Sequence, residues 1–143
     1  MNFSINTPEP GKTYAKRPGA YAIMPNDQGL LAIIKTNKGY FLPGGGIEKD
    51  ESEKNCIIRE CKEEVGLQVQ VLEKICSSTY FFYSPGRKMN IEIIGHFYYC
   101  QIKKVLDIAS EADHELVWLS PEEAIKLLYL ENQKQAVKIF LEK

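Results

Sequence analysis

The chain has 143 residues, 44% hydrophobic and 26% charged, and 18 Lys and Arg against 19 Asp and Glu give a formal net charge of -1 at pH 7. This length suits one domain, 1–143, with a full hydrophobic core. The charge balance excludes the basic surface of a bulk nucleic-acid binder, no apolar run is long enough to span a membrane as a helix, and the polar opening MNFSINTPEPGKTYAKRP does not read as a secretory signal.

Residues 1 to about 14 hold two prolines and no periodicity, so an extended arm is expected. Arg17-Pro18 then opens strand-like runs at Gly19 to Met24 and Leu30 to Lys35, joined by the turn Asn26-Asp27-Gln28-Gly29. A second turn, Asn37-Lys38-Gly39, leads through a short strand, Tyr40 to Leu42, into Pro43-Gly44-Gly45-Gly46. By itself a glycine run is usually only a loop, but it permits close backbone approach. A helix is expected from near Ser52 to Gly66, with Asp50, Glu51, Ser52 and Glu53 at its positive end and Gly66 as a left-handed stop. Strands are expected at Gln68 to Ile75, Ser77 to Tyr83 and Asn90 to Ile102, the last two forming a hairpin about Ser84-Pro85-Gly86-Arg87. The aromatic run Tyr80, Phe81, Phe82, Tyr83 reads as cross-strand packing, with nucleobase stacking as the alternative. Lys103 to Ala109 is a connection of undecided form, and Ser110 to His114 a polar loop. A strand from Glu115 to Leu119 carries the single Trp118, and Ser120-Pro121 starts a helix to about Leu130. Gln133 to Leu141 closes the chain as a helix. The four cysteines lack CxxC spacing and sit among apolar or helical neighbours, so buried free thiols and a cytoplasmic location are expected.

Chemistry concentrates in the first helix. At about 100° per residue, Glu60, Glu63 and Glu64 share roughly a 100° arc, while Ile57, Ile58, Cys61 and Val65 lie on another arc, expected to face the core. Like charges at these spacings repel. Such a face is usually just solvated, but hard carboxylate oxygens held on one helix also suit Mg²⁺ or Mn²⁺.

The wider pattern decides between the two. Gly45, five residues, Glu51, seven residues, then Arg59-Glu60-Cys61-x-Glu63-Glu64-x-Gly66-Leu67 resembles the Nudix box at every position, with Cys61 as an unusual apolar choice. The resemblance implies an α/β fold, an α/β/α sandwich with a mixed sheet in which the box forms a loop-helix-loop. It implies hydrolysis of a phosphoanhydride bond in a nucleoside diphosphate linked to another moiety. By the same resemblance Glu60, Glu63, Glu64 and the Gly45 carbonyl are metal ligands for Mg²⁺ or Mn²⁺. Arg59 orients Glu60 or Glu63, and Glu51 fixes the loop. Gly44 and Gly45 bring backbone groups beside the phosphates.

The general base is either a box glutamate or an acidic residue of the loop before Trp118. Relatives often carry a glutamate six residues before that tryptophan, but Ala112 stands there, so Glu111, displaced by one, is the candidate and Glu115 the runner-up. His96 and His114 read as ordinary surface or strand residues. A proline that marks many ADP-ribose hydrolases is replaced by Phe82, and Tyr83 matches a tyrosine of some dinucleoside polyphosphate hydrolases. Arg17, Arg87 and Lys88 could meet phosphates or simply be surface charge. A nucleoside triphosphate, an oxidised deoxynucleotide and a dinucleoside polyphosphate all remain open as substrates. The expected partner is this small nucleotide, not a nucleic-acid polymer or a membrane, and a homodimer is compatible. The competing function is a non-catalytic domain that senses a nucleotide or ADP-ribose.

Overall fold

The computed structural model describes residues 1–106 and 111–143. The elements in order are β1 (Asn2–Ser4), β2 (Ala15–Ile23), β3 (Leu31–Thr36), β4 (Gly39–Phe41), β5 (Gly44–Gly46), α1 (Glu53–Val65), β6 (Leu67–Ser84), β7 (Met89–Val105), β8 (Glu115–Leu119), α2 (Pro121–Leu127) and α3 (Glu131–Leu141). A mixed five-stranded sheet has the order β1-β6-β7-β2-β5, and a three-stranded antiparallel sheet the order β4-β3-β8. The fold is therefore the expected α/β class with a mixed sheet. Among the described residues, no helix is long and apolar enough to cross a membrane.

The two faces of the large sheet carry separate cores. Ala20, Ala22, Tyr98 and Cys100 meet Cys56, Ile57 and Cys61 of α1. The alternate positions Ile23, Phe97 and Cys76 meet Ala136, Val137 and Ile139 of α3. Strand side chains alternate between faces, so one run of β2 residues supplies both cores. The small alanines let α1 approach closely. Fully burying a residue such as Ile57 contributes about 1.5–3 kcal/mol.

Helix α1 has the caps its ends ask for. The Ser52 hydroxyl accepts from the Asn55 N–H at 3.1 Å, and Gly66 takes the left-handed conformation, φ 66°. Its expected core face is shifted by one side chain: Cys56 is buried, whereas Ile58 is exposed. Ser120 and Glu123 form a reciprocal capping box at the start of α2.

Several boundaries differ from the sequence reading. The expected strands on either side of Cys76 are one long strand, β6, bent by register shifts at Gln68/Val69, Val71/Lys74 and Lys74/Cys76. Such bulges bend a strand without ending its pairing. The glycine run is not a free loop: Gly44–Gly46 pairs antiparallel with Gly19–Tyr21 of β2. The N-terminal arm is tied down at its beginning, where Asn2–Ser4 pairs parallel with Ser77–Thr79. Strand β7 runs to Val105, and the part of the expected connection and loop at residues 107–110 lies outside the described residues. Buried Gln133 of α3 accepts the Leu42 N–H at 2.8 Å, which fixes the approach to β5.

Candidate active site

The site begins with the short edge strand β5 laid against α1. Each of its glycines meets a different side chain of the helix. The Gly44 N–H donates to Glu64 Oε1 at 2.9 Å. A Cβ on Gly45 would stand 2.7 Å from the Glu60 carboxyl, closer than real contacts allow, so a side chain there would displace this carboxylate from its place beside Arg59. The Gly46 carbonyl accepts from Arg59 Nη2 at 3.1 Å. The Gly45 carbonyl accepts from the Cys56 thiol at 3.4 Å, a contact with which any metal bond at that oxygen would compete.

Arg59 is the hub of the ion pairs. Its Nε and Nη2 donate to Glu51 at 2.7 and 2.9 Å, and its Nη1 donates to Glu60 at 2.7 Å and Glu63 at 3.2 Å. Glu51 also accepts the Glu48 N–H at 3.0 Å, closing the loop before the helix. The hydrogen bonds from Arg59, then the Glu48 backbone, hold the Glu51 carboxyl down at about 2. Arg59 thus reaches Glu51, Glu60 and Glu63 at once, and Glu51 ties the loop at Glu48 to the helix.

The three box glutamates are not equivalent, and they do not share one exposed face. Glu63 is exposed, Glu60 half-buried and Glu64 buried at 8%. Burial pushes the Glu64 carboxyl up to about 8, against the Gly44 N–H, with the charges of Glu60, Glu111 and Glu63 adding to the rise. Burial likewise raises Glu60; Arg59 opposes this, and the charges of Glu63 and Glu111 reinforce it. Glu111 thus joins the acidic cluster. Its backbone N–H reaches the Glu64 carbonyl at 3.3 Å, and its Oε2 lies 3.6 Å from His114 Nδ1.

This donor set fits a hard divalent cation. Carboxylate oxygens are its preferred ligands, and burial together with mutual repulsion disfavours the ionised forms of Glu60 and Glu64, which a bound cation would offset. As placed, Glu60 and Glu63 each turn an oxygen to Arg59 and Glu64 turns one to Gly44. Among the described residues no three His, Cys, Asp or Glu side chains converge on one point. Coordination would need one of these oxygens to rotate.

Two clefts flank the carboxylates. On the Gly46 side, a cleft of about 330 Å³ is lined by Lys16, Arg17, Arg87, Phe82, Ile91 and Ile93, among others. On the Glu64 side, one of about 340 Å³ is lined by Glu64, Phe41, Thr36, Asn37, Asp113 and His114, among others. Arg17 therefore lies at the mouth of the first. Tyr83 does not line either cleft; it is 55% exposed, and by strand alternation it points away from the side that carries Phe82. The Gly44 amide serves Glu64 and is not free in this arrangement. Glu115 sits on β8 opposite Lys35, and His96 lies with Lys74 and Ser77, away from the carboxylates.

Two loop residues come to the centre: His114, which reads from the sequence as an ordinary surface or strand residue, and Asp113, to which the sequence assigns no role of its own. Among the described residues His114 Nδ1 is buried without a hydrogen-bond partner, 3.7 Å from Glu64 Oε2. Asp113, left-handed at φ 67°, accepts the Asn37 N–H at 3.1 Å and docks the loop onto the β3–β4 turn. A lone histidine in a polar loop carries no signal by itself. Only its approach to the box helix across the fold distinguishes it.

Comparison with known proteins agrees with the fold. The family model for the NUDIX domain matches residues 15–140. The chain is 28% identical over 113 residues to the chloroplastic Nudix hydrolase 21 of Arabidopsis thaliana, covering 78% of this chain and 55% of that protein. It is 32% identical over 84 residues to a CTP pyrophosphohydrolase of Escherichia coli, covering 58% and 56%. The chain thus spans about half the length of these curated relatives. Among solved structures, the E. coli ORF135 protein matches with a TM-score of 0.68 at 24% identity, covering 90% of this chain and 91% of that one. A MutT protein from Methanosarcina mazei matches with a TM-score of 0.71 at 20% identity, covering 90% and 95%. At these identities the structures speak for the fold.

Proposed function

The chain belongs to the NUDIX family, and on that premise we propose that it is a Mg²⁺- or Mn²⁺-dependent hydrolase of phosphoanhydride bonds in a nucleoside diphosphate derivative. The observation that carries this reading is the row Glu60, Glu63 and Glu64 laid against β5 and tied through Arg59 to Glu51. The names of the curated relatives, a Nudix hydrolase and a CTP pyrophosphohydrolase, support it.

Glu60, Glu63 and Glu64 would hold the cation. When bound, it screens the anionic diphosphate and makes water a better nucleophile. Arg59 keeps the Glu60 and Glu63 carboxylates in one geometry. We assign the general base to Glu111, whose charge reaches Glu60 and Glu64. The water oxygen bonds to phosphorus, the bridging P–O bond breaks, one water proton passes to the carboxylate, and the leaving phosphate departs with the bond's electron pair. His114 lies beside both Glu64 and Glu111.

The test is a turnover screen with Mg²⁺ and with Mn²⁺. The panel holds ordinary and oxidised deoxynucleoside triphosphates, dinucleoside polyphosphates, ADP-ribose, NADH and nucleotide sugars, with each product identified. Cation-dependent cleavage of a phosphoanhydride bond is expected. Tight binding without turnover of any compound would overturn the hydrolase in favour of a nucleotide-sensing domain.

A further inference from the structure

Tyr21 lies outside the box, yet two glycines leave room for its ring. A Cβ on Gly44 would stand 2.7 Å from Tyr21 Cα and 2.8 Å from its Cδ1, and one on Gly19 would stand 2.7 Å from the Tyr21 hydroxyl. Gly19 is two residues back on β2 and so on the same face of the sheet. The ring therefore runs back along the strand over bare backbone. Phe97 of β7 stacks on it, with ring centroids 5.5 Å apart and planes at 27°, and fixes its direction.

That direction brings the hydroxyl to the box. The same Cβ position on Gly19 lies 2.9 Å from the Gly45 carbonyl oxygen, so hydroxyl and carbonyl border one small space. The electrostatics agree. Burial first, then Cys56, Glu64 and Glu60, push the hydroxyl up to about 12. The group keeps its proton at neutral pH and can donate it in a hydrogen bond.

A tyrosine hydroxyl withdrawn from water ordinarily has a partner. On the opposite face of the sheet the Tyr98 hydroxyl follows that rule and donates to Glu53 at 2.7 Å. Among the described residues no hydrogen bond holds the Tyr21 hydroxyl. It is not sealed in either, because Tyr21 lines the cleft at Gly46 together with Lys16, Arg17 and Arg87, and no acidic side chain lines that cleft. To one side of the hydroxyl stand the box carboxylates, whose oxygens fit a divalent cation. To the other stand these three cations. An anionic oxygen lying between the two sides meets the one unused donor there.

We propose that Tyr21 is a substrate-binding residue of this site, its hydroxyl donating a hydrogen bond to a non-bridging oxygen of the substrate's diphosphate between the box carboxylates and the Gly46 cleft. Such an oxygen brings charge and no proton of its own, which makes it the stronger kind of acceptor. The assignment rests on the hydrolase reading and deepens it, naming a phosphate contact from outside the box helix and its loop.

Tyr21→Phe tests it, because it keeps the ring on Phe97 and removes only the oxygen. Steady-state kinetics with Mg²⁺, on whichever nucleotide the turnover screen shows cleaved, should give a kcat/KM lower by about 10- to 100-fold, the range for one hydrogen bond to a charged group. The loss is expected mainly in KM, since the charge on that oxygen is present before the reaction begins. Calorimetric titration with imidodiphosphate, a diphosphate mimic bridged by nitrogen, in Mg²⁺ should show a Kd weakened by about tenfold or more. The melting temperature should not fall, because the lost hydroxyl leaves no partner behind. Parental kcat/KM overturns the proposal, as does a loss in kcat alone with imidodiphosphate bound as tightly as before. A lowered melting temperature accompanying the loss overturns it too, by making the hydroxyl a structural group. No turnover of any nucleotide by the parent protein defeats the hydrolase reading instead. Imidodiphosphate then decides on Tyr21 by itself: equal binding by parent and variant, or binding by neither, overturns the phosphate contact.

Discussion

Among single residues, exposure separates carboxylates that the box presents as alike. The Glu63 side chain is 49% exposed, and among the described residues its carboxylate pairs only with Arg59, at 3.2 Å. Its charge therefore adds little to stability. Glu63→Gln is expected to lower kcat by about 100-fold or more, the scale of a lost group at a reacting centre, while shifting unfolding free energy by no more than about 0.5 kcal/mol. Buried Glu64 is a different case. Glu64→Gln keeps an oxygen for the Gly44 N–H, so the fold should hold while turnover falls as far. Arg59→Lys cannot reproduce a fork that reaches Glu51, Glu60 and Glu63 together. Its kcat should drop by about 10- to 100-fold, as for other residues that orient ligands. Parallel kinetics and thermal unfolding of the three variants check these outcomes; full activity in either glutamine variant would sink the ligand assignment.

At the scale of the element, α1 must be held at a fixed height over the sheet, and its first turn is held by a polar cluster outside the box. Glu53 Oε1 accepts from the Tyr98 hydroxyl at 2.7 Å and from Lys74 Nζ at 2.9 Å. His96 Nδ1 lies 3.5 Å from Glu53 Oε2 and 2.9 Å from the Ser77 hydroxyl. Burial pushes the Glu53 carboxyl up, but Tyr98, Lys74 and His96 together bring it below its ordinary 4.5. Burial lowers His96 below its ordinary 6.5, with Glu53 opposing and Lys74 adding to the drop. In both cases the unfolded chain binds the proton more readily. Their stabilisation is therefore complete above the unfolded values and lost as pH falls through the folded ones. Buried Glu64, its carboxyl raised, favours the folded state as pH falls; against that drift this cluster's share of stability should decline below about pH 6.5 as His96 is protonated, then below about 4.5 as Glu53 is. Urea unfolding between pH 3 and 8 should show the upper step missing in His96→Gln and the lower step missing in Glu53→Gln. Profiles in both variants that parallel the parent would rule out the cluster as the anchor.

For the whole molecule, the four thiols report on the integrity of both cores. Cys56, Cys61, Cys76 and Cys100 are all buried and free. Burial pushes the thiols of Cys56 and Cys76 to about 11 and that of Cys100 to about 12, so the reactive thiolate is scarce in the native state. Alkylation should therefore wait for opening of the fold. A cation bound to the native state alone, at 100 times its Kd, stabilises by about 2.7 kcal/mol. Added Mg²⁺ should then slow alkylation by about 100-fold, chelation should restore the rate, and Glu64→Gln should weaken the effect. An alkylation rate indifferent to Mg²⁺ in the parent would count against cation binding at the box.

Local chemistry was legible in the amino-acid order. Ser52 and Gly66 marked the ends of α1 because caps act within a turn or two of the chain. The Nudix box lies on one helix and the loop before it, so fixed spacing alone assembles Arg59, Glu60, Glu63 and Glu64. What the order could not disclose depends on segments far apart in the chain. That β6 is one strand follows from its pairing along β7, which tolerates bulges that look like breaks. That Gly44–Gly46 is an edge strand follows from its partner β2. Glu64 is buried, unlike Glu63 beside it, because β5 and the loop carrying His114 close over that side of the helix. Phe82 lines a cleft and Tyr83 does not, because strand alternation takes its phase from the whole sheet. Sequence spacing determines which groups share an element; only tertiary packing decides which of them lose water, and with it their charge state and their access to substrate.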